Sequence, residues 1–532
     1  MNRTGRGLLS VLLLGCLGAA VGVTNKVARL QVDGYRFTGN TVFTAAELNT
    51  ALTNFTHRGL TAVELEAARR TVTMHYVKAG YVNSGCLLDP QAVTNGVVSL
   101  RVIEGRLTEL NVSGAKWLRQ GFIKPRIAAG AGQPLNLQRL QENMLMLRQL
   151  PFIDSLKAEL HPGGAKGEGV LDVRVDEARL AHLTIAAHNQ RPPSVGAEGM
   201  EAQLAVENPT GWGDHFGLSY GLLQRDEKGV RFPGVDNLGL RYSVPLNPQD
   251  TTLALRYDRR NFGVVEEPFN ALNVEAIAEF WSAELRQPLR KSLTEELGVS
   301  MTADLRTSRT LLNGSPFNLA AGAVNGETRV SVVRWSADYL RRSRRQVFAS
   351  RLTLSVGAGW LNATDDGTDR DAHFASLAGQ TQYLRELNDE GFKLIASGAF
   401  QWANSPLLSL EQFSLGGAGS IRGYRENTVV RDTGVRGSIE LRLPVMMPGM
   451  REPLRPETLQ LAPFVDCGAS WNVRAPTTGT ILLPSAGIGL LWAPNDRFSS
   501  RIIWGHAFRR PANQSGDLQD HGIHFSLAFR AF

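Results

Sequence analysis

Beyond residue 22 the sequence has no run of eighteen apolar residues, which excludes a bundle of membrane-spanning helices. Cysteine is scarce, with three in 532 residues. Cys16 sits in the leader-like start, and Cys86 and Cys467 fall in different regions, so a disulfide framework is not expected. Metal and redox signatures are missing too: there is no His-x-x-x-His, no Cys-x-x-Cys, and the ten histidines show no ligand spacing. No P-loop lysine follows the glycine-rich stretches. No catalytic residue, metal site or cofactor is therefore expected, and an enzyme is the weakest reading.

What is present begins with an export signal over 1–22. Arg3 and Arg6 form its positive start, Leu8 to Leu14 its apolar stretch, and Ala20 and Gly22 offer small residues for cleavage. Leu13-Leu-Gly-Cys16 is also similar to a lipoprotein processing site, though its second position is atypical. Residues 28–104 then read as strand, helix, helix, strand, strand. Leu30 to Phe37 is the first strand, and Thr44-Ala-Ala-Glu47 has capping-box spacing. A second helix runs from Thr61 to Lys78 and stops at Gly80. Strands follow at Tyr81 to Leu88 and Val97 to Ile103. The same order repeats over 105–179, with strand Leu107 to Val112, helices Trp117 to Ala128 and Asn136 to Gln149, and strands Ile153 to Leu160 and Val170 to Asp176. Two such units form an internal repeat, each with a small core.

From residue 180 onward helical periodicity gives way to alternation punctuated by Gly, Pro, Asn and Asp. In Ser438-Ile-Glu-Leu-Arg-Leu443, Ile439, Leu441 and Leu443 share one face and Glu440 and Arg442 the other. An apolar outside with a charged inside suits a lipid-embedded barrel with a wet lumen. A soluble sandwich gives the same alternation, but about sixteen strands in one run would make it unusually large. The segments start near 183, 200, 215, 237, 251, 274, 295, 327, 346, 373, 392, 434, 459, 481, 499 and 522, roughly 22 residues apiece. The fold class expected is two β-α-α-β-β modules followed by a sixteen-stranded antiparallel transmembrane barrel. The net charge of +7 comes without a lysine-rich stripe or stacking aromatics, so nucleic acid is not an expected partner. Arginine spread through the lumen and loops accounts for it.

Between the eleventh and twelfth strands lies a long segment, about 405–433, containing Gly419-Ser420-Ile421-Arg422-Gly423-Tyr424. By composition this is a glycine-rich loop. It also resembles the invaginated-loop motif of the BamA/TpsB superfamily of outer-membrane transporters. The superfamily's second motif, Phe-x-Asp-x-Gly, is matched by Phe464, Asp466 and Gly468. The resemblance implies that the loop enters the barrel and that Arg422 pairs with Asp466. Alternation along Leu459 to Trp471 independently turns Asp466 toward the lumen. The aromatic last residue, Phe532, ends the kind of closing strand that such barrels carry for assembly.

Gly80-Tyr-Val-Asn and Gly96-Val-Val-Ser-Leu-Arg-Val-Ile-Glu-Gly105 narrow the resemblance to two-partner secretion transporters of the haemolysin and filamentous-haemagglutinin type. That resemblance implies two POTRA modules (28–104 and 105–179) in the periplasm and a barrel (180–532) in the Gram-negative outer membrane. The implied partners are an exoprotein client held by the POTRA modules, outer-membrane lipid, and the barrel-assembly machinery. Alternatives are an insertase of the same superfamily and a passive porin. The family's N-terminal plug helix does not fit in the eight or so residues from Gly22 to Leu30, against the roughly twenty needed to cross ~30 Å. Either it is absent or the true start lies upstream.

Overall fold

The computed structural model describes residues 28–91, 93, 95–226, 229–231, 237–266, 272–365, 367, 370–445, 458–509 and 516–532. The expected leader, with Cys16, lies outside them. The chain forms two compact units, one up to Arg106 together with Pro162–Glu168, the other Leu107–His161 together with Gly169–Phe532.

In the first module, Gly34–Thr38 runs parallel to Val97–Ile103, which pairs antiparallel with Gly85–Leu87. Helices Ala45–Ala51 and Ala62–Lys78 pack on this sheet through Leu48, Leu52, Val72 and Tyr76, against Val98 and Leu100. Both helices begin on capping boxes, Thr44 with Glu47 and Thr61 with Glu64. Two strands differ from expectation. The first breaks at Asp33, and Leu30–Val32 turns aside to pair with Arg58–Leu60, a three-residue strand between the helices. The strand expected from Tyr81 shortens to Gly85–Leu87, because the amides of Tyr81 and Ser84 close turns onto the carbonyls of Tyr76 and Tyr81.

Glu104 closes this module. Its carboxylate accepts from the amides of Thr41 (2.7 Å) and Val42 (2.9 Å), from the Thr41 hydroxyl, and from the Tyr76 hydroxyl (2.8 Å). Burial opposes its ionisation, but these hydrogen bonds outweigh burial and hold the carboxyl below its usual range. Cys86 is free and buried, and burial pushes its thiol up to about 12.

The second module repeats the plan, with Glu168–Glu177 central between Arg106–Ser113 and Ile153–Pro162. Helices Gln120–Ala131 and Leu137–Arg148 bury Phe122, Ile127 and Leu140 against Leu171 and Val173. The first helix starts three residues later than expected, because the Glu177 carboxylate draws the amides of Trp117 (3.0 Å) and Leu118 (2.6 Å) out of helical register. This module is fastened to two barrel turns. The Trp117 indole donates to the Asn208 carbonyl at 2.7 Å. Arg126, 3.8 Å over the Phe122 ring, reaches Asp250 (3.0 Å) and the Asn247 carbonyl (2.7 Å).

The barrel is closed by sixteen wall strands, from Ala181–His188 to Ile523–Arg530; neighbours are antiparallel and the last pairs with the first. Short pieces at Gly229–Arg231 and Ser315–Pro316 extend two hairpins. Trp281, Trp335, Leu352, Trp402, Ile439 and Trp504 point outward and are exposed, the apolar face that lipid requires. No described helix is long and apolar enough to cross a membrane; the crossing is made by strands closed into a ring, which pairs backbone groups within the wall.

Candidate functional site

Leaving the eleventh strand (Lys393–Ala403), the chain does not turn directly into the twelfth (Thr433–Pro444). Residues 404–432 fold back inside the wall, with Phe413–Leu415 paired to Val429–Arg431 as a stalk. At the base, the fully buried Asp432 accepts from the amides of Leu407 (3.0 Å) and Val473 (2.9 Å) and from the Gln412 side chain (2.8 Å).

The tip turns tightly. The Ser420 amide donates to the Gly417 carbonyl (3.1 Å) and its hydroxyl to the Gly416 carbonyl (2.8 Å). Gly419 is exposed, and its carbonyl accepts from Arg436. Ile421 and Tyr424 are buried with Leu415 and Leu483 in a small apolar cluster. The Tyr424 hydroxyl donates to the Pro484 carbonyl (2.8 Å) and accepts from the Arg509 amide (3.2 Å). Gly423, at φ +91°, lies directly on the wall at Gly505; a Cβ on either residue would come within 2.8 Å of the other's backbone.

Arg422 is buried and fully engaged. Its Nε and Nη2 donate to the two oxygens of Asp466, each at 2.8 Å, and its backbone amide donates to Asp466 Oδ2 at 3.0 Å. Nη2 also reaches the Ser438 hydroxyl (2.9 Å), and Nη1 pairs with Glu440. The guanidinium lies 3.6 Å from the centre of the Phe464 ring. Ser438 in turn donates to Asp466 at 2.6 Å. Asp466 is 1% exposed, while its neighbours Val465 and Cys467 face outward. At Gly468 a Cβ would sit 3.0 Å from Leu415 and 3.1 Å from Ile421, so the missing side chain makes room for the loop. All nine motif residues thus meet in one place. The closing Phe532 lies beyond the last strand and is exposed; next to it, the Ala531 amide donates to the Leu183 carbonyl at 2.8 Å.

Several participants were not singled out from sequence. Glu440 was placed on the inner face by alternation, but nothing local marks it as the second carboxylate on Arg422. Arg425 pairs with Asp520 and, at 2.8 Å, with Glu266, residues 95 and 159 positions away. On the opposite wall, Glu411 of the loop receives both contacts of Arg334 Nη2 (2.8 Å each), and Arg334 also binds Asp304 and Ser355 at 2.7 Å. Below the tip, a cavity of about 690 Å³ is lined by Arg286, Asp338, Arg351, Arg436 and Arg501 among others.

Gly217-Leu-Ser-Tyr-Gly221 has the Gly-x-Ser-x-Gly spacing of a hydrolase elbow. It runs within the third wall strand (His215–Asp226), with no strand-to-helix turn to raise Ser219. Among the described residues no group of His, Cys, Asp and Glu is placed to hold a metal ion.

Comparison with known proteins agrees with this layout. Residues 30–105 match the POTRA domain of ShlB type. The chain is 23% identical over 410 residues to the outer membrane transporter CdiB of Dickeya dadantii, covering 74% of this chain and 68% of the relative. It is 21% identical over 416 residues to the heme/hemopexin transporter protein HuxB of Haemophilus influenzae, covering 73% and 67%. The structure of CdiB from Escherichia coli superposes with a TM-score of 0.71 at 18% identity, over 97% of this chain and 93% of that one. CdiB from Acinetobacter baumannii gives 0.65 at 16% identity, over 94% and 90%. Residues 167–491 match the family described as haemolysin secretion/activation protein ShlB/FhaC/HecB, and the chain belongs to that family.

Proposed function

We propose that this outer-membrane transporter takes an unfolded exoprotein from the periplasm, holds it extended on its two POTRA modules, and passes it through the barrel as the loop carrying Arg422 moves. The barrel stands in the outer membrane and the POTRA modules in the periplasm. The observation that carries the reading is the loop seated in the lumen by ionic contacts to the wall, a closure that charge-assisted bonds can break and remake. Each module leaves strands at its sheet edges, Gly34–Thr38 and Gly85–Leu87 in the first, Arg106–Ser113 and Ile153–Pro162 in the second. Strand addition there pairs backbone with backbone and asks little of side-chain sequence. With no nucleotide motif in the chain, folding of the client outside supplies direction.

The reading extends to the contacts made along the way. Lipid meets the outward tryptophans, and the barrel-assembly machinery acts on the closing strand that leads to Phe532. The test is co-expression with the product of the neighbouring exoprotein gene. Full-length product should appear in the medium only when this chain is present. A product that stays in the periplasm beside a correctly inserted barrel would overturn the reading.

A further inference from the structure

Among the described residues the first and last wall strands are joined by five register pairs, Thr184–His188 with Ser526–Arg530, fewer than join any other two neighbouring wall strands; the next has six. Beyond that ladder Asn189 carries the seam further, first with its backbone amide, which donates to the Phe525 carbonyl at 3.3 Å. Asn189, fully buried, also donates from its side-chain amide to the Ile523 carbonyl (2.9 Å) and accepts from the Phe525 amide (2.7 Å). Its side chain thereby reinforces the end of the seam.

Gln519, 1% exposed, lies between the fifteenth (Phe498–Ala507) and sixteenth strands and clasps Asn189 from the other side. Its Nε2 donates to the carbonyls of Asn189 (2.6 Å) and Arg191 (2.7 Å), and its Oε1 accepts from the Glu426 amide of the loop (2.9 Å). The next residue, Asp520, takes the loop's Arg425, with Nη2 to Oδ2 at 2.7 Å. One carboxamide thus satisfies the seam and the loop together, and its neighbour fixes the loop to the same short segment.

We propose that Gln519 and Asp520 are positioning residues that make seating of the Arg422 loop and closure of the barrel seam a single event. With the loop seated, the segment 517–521 is held against Asn189. When the loop withdraws, Gln519 loses its Glu426 donor and Asp520 its arginine, and a buried clasp with an unmet acceptor loosens. The seam's short ladder then bears the load alone. The proposal rests on the loop being the moving part, but its test needs no client, so its failure and the failure of export are separate results.

The test uses the full chain in outer membranes, with Cys467→Ser to remove the exposed native thiol. A seam reporter pairs Ala186→Cys with Ala528→Cys, which are register partners. A loop reporter is Gly419→Cys, where a Cβ meets nothing within 4 Å. Arg422→Ala should raise maleimide labelling at 419 from outside and also slow seam disulfide formation, by roughly fivefold to tenfold, the equivalent of about one net hydrogen bond. Gln519→Leu should move both reporters the same way, starting from the seam. Asp520→Asn leaves the Gln519 bonds in place and should give a smaller change in both. Increased labelling at 419 in Arg422→Ala with an unchanged seam rate overturns the proposal, as does a seam loosened by Gln519→Leu with labelling at 419 unchanged. If Gln519→Leu fails to assemble a heat-modifiable barrel, Arg422→Ala and Asp520→Asn decide it.

Discussion

The Arg422 guanidinium lies 3.6 Å from the centre of the Phe464 ring while its edge chelates Asp466, two residues further along the same strand. Alternate residues share a face, so one strand offers the arginine a π surface, then a carboxylate, then at Gly468 an empty position. The Phe-x-Asp-x-Gly spacing is therefore the geometry of a receptor for one planar cation. Arg422→Ala should abolish export with the barrel still inserted, since losing one partner of a buried pair costs about 3–5 kcal/mol. Arg422→Lys should be nearly as damaging, because an ammonium neither stacks nor chelates. Product in the medium, measured beside heat-modifiability of the barrel, checks both. Normal export by the lysine variant would show that charge alone suffices.

The contact between Gly423 and Gly505 predicts that a single methyl on the wall unseats the loop. Gly505→Ala would place its Cβ 2.7 Å from the Gly423 nitrogen and 2.8 Å from its Cα. Barrel assembly should survive while protease cleavage near 419 increases. Protection equal to that of the parent chain would mean that the loop adjusts around the methyl.

Glu411 anchors the other side of the loop to Arg334, which keeps Asp304 and Ser355 when Glu411 is neutralised. Glu411→Gln should therefore loosen the loop less than Arg422→Ala, by about 1–2 kcal/mol, the worth of a charged hydrogen bond. Channel openings in planar bilayers would rank the two. The order reversed would place the principal lock at Glu411.

In the first POTRA module, Glu104 is held ionised by four hydrogen bonds. A carboxyl whose folded pKa lies below its unfolded value contributes stability above that unfolded value, near 4.3, and the contribution is lost as pH falls through the folded pKa. The protection of the Thr41 and Val42 amides, measured against their intrinsic exchange rates, should be high at pH 6 and fall as pH drops below the ordinary carboxylate range. Glu104→Gln should already exchange fast at pH 6. Equal protection in the two chains at pH 6 would remove Glu104 as the clasp.

Much of the barrel is legible because lipid outside and water inside impose strict alternation. Strands expected near 295, 346 and 459 begin at Glu295, Gln346 and Leu459, and the one expected near 373 begins at Ala375. Asp466 could be assigned to the lumen for the same reason. What alternation does not show is which inward residues meet. Glu440 looks like any other lumenal acid until a loop arrives beside it, and Asp520 finds Arg425 only through closure of the barrel. The Arg58–Leu60 strand is too short to carry a period, and it exists because Leu30–Val32 lies alongside.

At its tip the loop holds the wall through charge, with Arg422 and Arg425 meeting four carboxylates beside a small apolar cluster, while at its base Leu407 and Leu408 are buried against Val330 and Val332. If the loop moves as proposed, release of its tip uncovers charged receptors and only a small apolar cluster. On that proposal each released charge would find water, and each empty receptor on the wall would stay hydrated until the loop reseats. A closure of that kind would suit repeated use, many passengers through one gate, rather than a seal broken once.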